Sequence, residues 1–221
     1  MKFLIVLLLI FSSLSNAGEV VKKQKTLSVQ AKKKRFYSTV VPIIDKVYNQ
    51  RYELYNKIKK DINNTQNSQI QELKEYYRVK TDHELMMALK PQPKSIAIAQ
   101  AAMESAWGTS SFFNTANNLF GMWSISKKEN RVAASKKRDN NTTVWVKKYN
   151  SLEDSVKGYY ITLAKGKKYK KLRELNYADS NVYEIIQGLD KYSERGEEYV
   201  NEIESIIRYN KLTKYDEKEN N

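Results

Sequence analysis

Glu104 is the sole ionisable side chain in the stretch Ile96–Trp107 (IAIAQAAMESAW). Helical spacing sets Gln100 one turn before it and Trp107 three residues after it. A carboxyl among apolar and aromatic neighbours is desolvated, which favours its acid form. An acid that stays protonated near neutral pH can protonate the leaving-group oxygen of a glycosidic bond. The competing reading is a structural glutamate paired with a lysine or a backbone amide, and residue types alone leave both open. Other chemistries drop out. The chain has no Cys, which excludes disulfides, thiolate metal sites and cysteine nucleophiles. His83 is its single histidine, so a His-rich metal site is excluded and any catalytic histidine would be this one. No cofactor or metal is expected.

The segment that carries Glu104 is Ala-rich and apolar on nearly every face, which predicts a buried helix over 94–108 with Gly108 as its C-cap. Lys90-Pro91-Gln92-Pro93 isolates it from what precedes. A short helix follows over 110–115, and a loop or small β-hairpin over 122–146, where alternation emerges at Val144–Val146. Ser151-Leu152-Glu153-Asp154 reads as a capping box opening a helix to about 165. Further helices are expected over 180–189 and 196–210, with a charged tail from Tyr215. Upstream, Val40, Ile43, Ile44, Val47, Leu54, Tyr55 and Ile58 recur at helical spacing within 36–62, with Pro42 in a first turn or at a kink. Helices over 68–80 and 82–90, the latter capped by Asp82, follow the polar break at 63–67. The result is a mainly helical α+β chain.

The 221 residues are 41% hydrophobic with 16 Tyr, 6 Phe and 3 Trp, enough to bury a core and to exclude wholesale disorder. Seven Gly and three Pro exclude collagen-like chains and argue against a many-turned β-sandwich. The net charge of +14 calls for a polyanionic partner. Residues 1–17 read as a secretory signal peptide: Lys2, the apolar run Phe3–Phe11, and a small-x-small site at Ser15-Asn16-Ala17. No Cys follows that run, so a lipoprotein anchor is excluded. Residues 18–35 read as a basic linker. Behind a signal peptide, Lys32-Lys33-Lys34-Arg35 loses weight as a nucleic-acid patch and reads as a solvated helix start. The expectation is an exported protein, periplasmic or at a bacterial cell surface, with no nucleic-acid partner and no stable membrane insertion after cleavage.

AMESAWGTSSF followed by NNLFGMW resembles the glucosaminidases of glycoside hydrolase family 73, through Glu104, Ser105, Gly108 and Ser110, then Asn118, Leu119, Phe120 and Gly121. KKYNSLEDSVKGYY is similar to a further family block, through Tyr149, Ser151, Asp154, Ser155 and Tyr159. In DKYSERGEEYVNEI, Tyr192 and Tyr199 match, while Ser193-Glu194-Arg195 replaces Ala-Thr-Asp and resembles a Bax-like bacterial subfamily. The resemblance covers about residues 32–211. It implies a lysozyme-like helical domain over 91–215, with a small β-hairpin, behind an N-terminal helical extension over 36–90. It also implies hydrolysis of the β-1,4 bond after N-acetylglucosamine in peptidoglycan. Glu104 would be the general acid and Tyr192 the active-site tyrosine near the sugar's acetamido group. Asn118 and Phe120 would line the cleft floor, with Trp123 and Tyr199 also meeting substrate; for Trp107 core packing is the favoured reading.

The resemblance implies that a second carboxylate can follow the NLFG turn, but none is expected within about 5.5 Å of the Glu104 carboxyl. Glu129 and Asp139 are the candidates, each with a solvated surface charge as the competing reading. Glu153 and Asp154 are better read as helix-start residues. The substrate's own acetamido oxygen is the other candidate nucleophile. Lys127, Lys128, Lys136, Lys137, Arg138 and the basic run 165–171 suit peptidoglycan glycan strands and an anionic cell-wall polymer. The contrasting class is a non-catalytic wall-binding protein on the same fold.

Overall fold

The computed structural model describes residues 27–64, 66–137 and 143–217. The 1–17 segment, residues 18–26 and Asp139 lie outside them. Ser28 opens the first helix by accepting a hydrogen bond from the Ala31 amide, and α1 runs from Val29–Asp61. It therefore starts inside the stretch read as a linker. The Lys, Gln and Ala residues that lower hydrophobicity there are also good helix formers. Phe36, Val40, Ile44, Val47, Tyr55 and Ile58 form its buried stripe, and Pro42 sits within the helix.

Two short helices follow: α2 (Ser68–Tyr77), stopped by Arg78 in the left-handed region, and α3 (Asp82–Leu89). The cap of α3 is Thr81 rather than Asp82; Thr81 and Glu84 form a reciprocal capping box. Then come α4 (Lys94–Glu104) and α5 (Ser111–Ala116). Strands β1 (Arg131–Lys137) and β2 (Thr143–Lys147) make an antiparallel hairpin with Val132 opposite Val146, and the register shifts beyond Ala133. Helix α6 (Leu152–Lys165) starts at Ser151, which caps the Asp154 amide. The Asp154 carboxylate accepts from the Ser151 hydroxyl instead of reaching back to its amide, so the motif is a half box.

The 3₁₀ turn Lys167–Tyr169 and α7 (Lys170–Tyr177) were not expected, because their lysines mask a stripe of Tyr169, Leu172 and Leu175. Helix α8 (Val182–Ile185) runs into the 3₁₀ turn Ile186–Leu189, and α9 (Glu197–Tyr209) closes the order before a last turn, Leu212–Tyr215. The charged tail begins later than expected. Leu212 is buried, and Asp216 accepts from both the amide and the hydroxyl of Ser95 at the N-terminus of α4.

The main core gathers α1, α4, α6, α7 and α9, with Leu119 and Phe120 from the connection after α5. A second cluster joins the far half of α1 to α2 and α3. The segment 36–90 thus gives the first half of α1 to the main core, and its second cluster takes Ala164 from α6. No helix among the described residues is long and apolar enough to cross a membrane.

Candidate active site

Helix α4 stops at Glu104, four residues short of the expected end. Ala106, Trp107 and Gly108 all take positive φ, at 50°, 58° and 74°. For two non-glycine residues this costs about 1–2 kcal/mol each. Buried Ser105 holds the turn: its hydroxyl donates to the Ala101 carbonyl at 2.6 Å and accepts the Gly108 amide at 2.8 Å. The turn carries Trp107 off the Glu104 face and onto α1, edge-on to Phe36 at 5.4 Å and to Tyr37 at 5.7 Å. Core packing is therefore the reading of Trp107 that the structure supports.

A directed line of hydrogen bonds ends on Glu104. Tyr159 donates from its hydroxyl to Gln100 Oε1 at 2.7 Å, Gln100 Nε2 donates to the Tyr199 hydroxyl oxygen at 2.8 Å, and Tyr199 donates to Glu104 Oε1 at 3.0 Å. Gln100, Tyr159 and Tyr199 are all buried. Glu104 Oε2 faces Gly121, which has φ +62°; a β-carbon there would lie 3.0 Å from Oε2. A glycine is needed on both counts. Burial pushes the Glu104 carboxyl up to about 7. The Tyr199 bond and the Arg195 charge oppose this rise, and the Glu202 charge adds to it.

Tyr192 stacks on Tyr199 with ring centroids 5.3 Å apart, and its hydroxyl donates to the Phe120 carbonyl at 3.1 Å. The tyrosine bonded to Glu104 is thus Tyr199, and Tyr192 backs it. At 1% exposure Tyr199 lies beneath the carboxyl, not on a sugar-facing wall. Asn118 and Phe120 are corrected in the same way. Asn118 is buried, donating to the carbonyls of Met122 and Lys147 and accepting the Met122 amide. Phe120 stacks on Tyr159 at 4.0 Å. They shape the Gly121 turn from within instead of flooring a cleft. The Leu119 amide donates to Ser155, which anchors the same turn to α6.

Trp123, just past this turn, is 55% exposed. Glu129 accepts from the Ser124 hydroxyl at 2.9 Å and pairs with Lys147 at 3.2 Å. Partial burial works upward on its carboxyl, but these bonds and the Lys147 charge outweigh it and hold the acid below its usual range. Sequence reasoning did not name Gln100, Gly121 or Arg195 as site residues. The signal for Gln100 was present: with Glu104 it interrupts an apolar run. Arg195 forks onto Glu202 at 2.6 and 2.9 Å.

A desolvated acid at a helix end, roofed by a glycine turn, sits here in a mainly helical domain with a small hairpin, which is a lysozyme-like fold. A profile of the glucosaminidase family, described as mannosyl-glycoprotein endo-beta-N-acetylglucosaminidase, matches residues 80–212, and the chain belongs to that family. Among solved structures, an N-acetylmuramoyl-L-alanine amidase from Staphylococcus aureus is similar at 18% identity and a TM-score of 0.54, covering 85% of this chain and 44% of that one. The catalytic domain of the autolysin Auto from Listeria monocytogenes is similar at 20% identity and a TM-score of 0.47, covering 86% and 99%. A peptidoglycan hydrolase from Sphingomonas sp. A1 is similar at 21% identity and a TM-score of 0.47, covering 58% and 86%. A search of curated protein sequences found no match.

Proposed function

We propose that the protein is an exported peptidoglycan hydrolase that cleaves the β-1,4 bond after N-acetylglucosamine, with Glu104 as general acid. The observation that carries this is the state of Glu104. Burial holds its carboxyl near neutrality, one oxygen receives a donor from below, and the other faces a glycine. Such an acid can be protonated at neutral pH and give its proton to a leaving oxygen. Membership of the glucosaminidase family supports the sugar at the cleaved bond, and the net charge of +14 suits an anionic wall.

Tyr192 serves from beside Tyr199, close to the sugar's acetamido group, with its hydroxyl held by the Phe120 carbonyl. Trp123 offers an exposed indole for sugar stacking. For the second half of the reaction, Glu129 is engaged by Lys147 and Glu202 by Arg195, which favours the substrate's acetamido oxygen as nucleophile, with water completing hydrolysis. Export rests on the 1–17 leader, with a mature chain from Gly18, and catalysis is assigned to 91–215. Zymography on purified peptidoglycan, with mass analysis of the new reducing ends, tests the activity. N-acetylglucosamine ends are expected. Muramic-acid ends or anhydro products would overturn the specificity, and intact sacculi would leave a wall-binding role.

A further inference from the structure

The line from Tyr159 through Gln100 to Tyr199 has a fixed direction. Gln100 offers its carbonyl to Tyr159 and its amide to Tyr199, so the Tyr199 oxygen already accepts a proton and its own hydrogen is committed outward. The acceptor in that direction is Glu104 Oε1. Were the acid's proton on Oε1, the Tyr199 hydrogen would meet a carboxylic hydroxyl oxygen, a poorer acceptor than the carbonyl oxygen it meets when the proton is on Oε2, and the buried bond would weaken. On Oε2 the proton has no such conflict, and that oxygen lies on the Gly121 side, where a β-carbon would come within 3.0 Å of it.

We propose that Tyr199 and Gln100 are positioning residues that keep the transferable proton of Glu104 on Oε2, so that leaving oxygens are protonated from the Gly121 side alone. This rests on the reading of Glu104 as the general acid. In the step itself, the Oε2–H proton passes to the glycosidic oxygen as the carbon–oxygen bond breaks. The bonding pair stays on that oxygen, and Glu104 is left as a carboxylate. Tyr199 then donates to a charged oxygen, a stronger bond than before. The line therefore acts on both the aim and the acidity of Glu104. Other groups face the carboxyl: Tyr192 beside Tyr199, Arg195 and Glu202 as a pair, and Tyr169 from the turn before α7. None of their hydroxyl or guanidinium hydrogens bonds to either oxygen of Glu104 in the way Tyr199 does.

The test uses the mature chain on soluble peptidoglycan fragments, with kcat followed against pH. Tyr199→Phe deletes the donor and keeps the ring. The expected result is a kcat loss of about 10–100-fold, the scale of a misaimed reacting group. The alkaline limb of the profile should also move to higher pH, because the bond that eases ionisation is gone. Gln100→Met should act in the same direction, and the double variant should be no worse than Tyr199→Phe alone, since both cut one line. Tyr160→Phe, which removes a buried hydroxyl with no bonding partner, is the control and should leave the profile in place.

An alkaline limb that stays where it is in Tyr199→Phe overturns the proposal whatever happens to kcat, because a purely structural role lowers the folded fraction without moving the limb. If Tyr199→Phe does not fold by circular dichroism, the position of the limb in Gln100→Met decides in its place. Glu104→Gln separates the two layers. Full activity in that variant sinks the general-acid reading itself, whereas an inactive Glu104→Gln beside an unshifted Tyr199→Phe sinks the relay alone.

Discussion

Glu104 carries a cost in stability that follows from its burial. Its folded pKa of about 7 lies above the ordinary 4.5, so below 4.5 the carboxyl is neutral in both folded and unfolded chains. As pH rises from there to about 7, the unfolded chain ionises first and the native state loses stability, after which the loss levels off. The limit of that loss is of the order of 3 kcal/mol. Glu104→Gln should therefore lose hydrolysis by about 10²–10⁴-fold. It should also melt higher than the parent at pH 8 and alongside it at pH 4, which scanning calorimetry at the two pH values would check. Gly121→Ala puts a methyl 3.0 Å from Oε2 at a residue with φ +62°. We expect about 1–2 kcal/mol of lost stability from the backbone alone, and a larger loss of kcat than the unfolded fraction explains, measured by urea titration beside turnover. At this scale Glu104 was legible because it stands alone among apolar residues. Asn118, Phe120 and Tyr199 were legible as motif members but not as interior ones, since a short motif does not distinguish residues that touch a substrate from those that hold the backbone near it.

The elements around the acid work as splints. Helix α6 was legible to the residue, from Ser151 to Lys165, because a cap and a clean apolar stripe coincide. Helix α4 was overextended by four residues, because Ala, Trp and Gly at 106–108 look helix-compatible until Ser105 turns its hydroxyl back on Ala101 and diverts the chain. Helix α7 escaped notice for the opposite reason, its lysines outweighing a narrow stripe. The Asn118 side chain closes the turn after α5 with two bonds to Met122 and ties it to the end of β2 with one to the Lys147 carbonyl. Asn118→Ala strands buried backbone groups, so a loss of about 2–3 kcal/mol in urea unfolding is expected. Residual activity should fall further than stability, because Gly121 loses its seat over Oε2.

Across the whole molecule, α1 is the tie. Its first half supplies Phe36, Val40, Ile44 and Val47 to the main core, and its second half gives Tyr55 and Ile58 to the cluster with α2 and α3. The Lys94–Asp45 pair at 2.7 Å adds a polar link from α4. The family match begins at residue 80, well after this helix ends. Truncation to residues 80–217 is expected to expose the apolar faces of α4 and α6 and abolish cooperative unfolding, as followed by far-ultraviolet circular dichroism during heating. The parent chain should show one transition. Helical periodicity alone showed α1 as a long amphipathic element. It did not show that this helix packs against both clusters, which depends on pairings across more than a hundred residues.

The placement of the three indoles has an optical consequence. Trp107 sits against Phe36 and Tyr37 with the Lys33 ammonium 4.4 Å from its ring, Trp145 lies under the Arg131 guanidinium at 4.1 Å, and Trp123 is mostly in water. Intrinsic fluorescence therefore carries separable colours. Blue-side emission from Trp107 reports whether α1 is docked, and red-side emission from Trp123 reports contact at the segment just past the Gly121 turn, so helix undocking and the arrival of a ligand there can be watched in the same cuvette without an added dye.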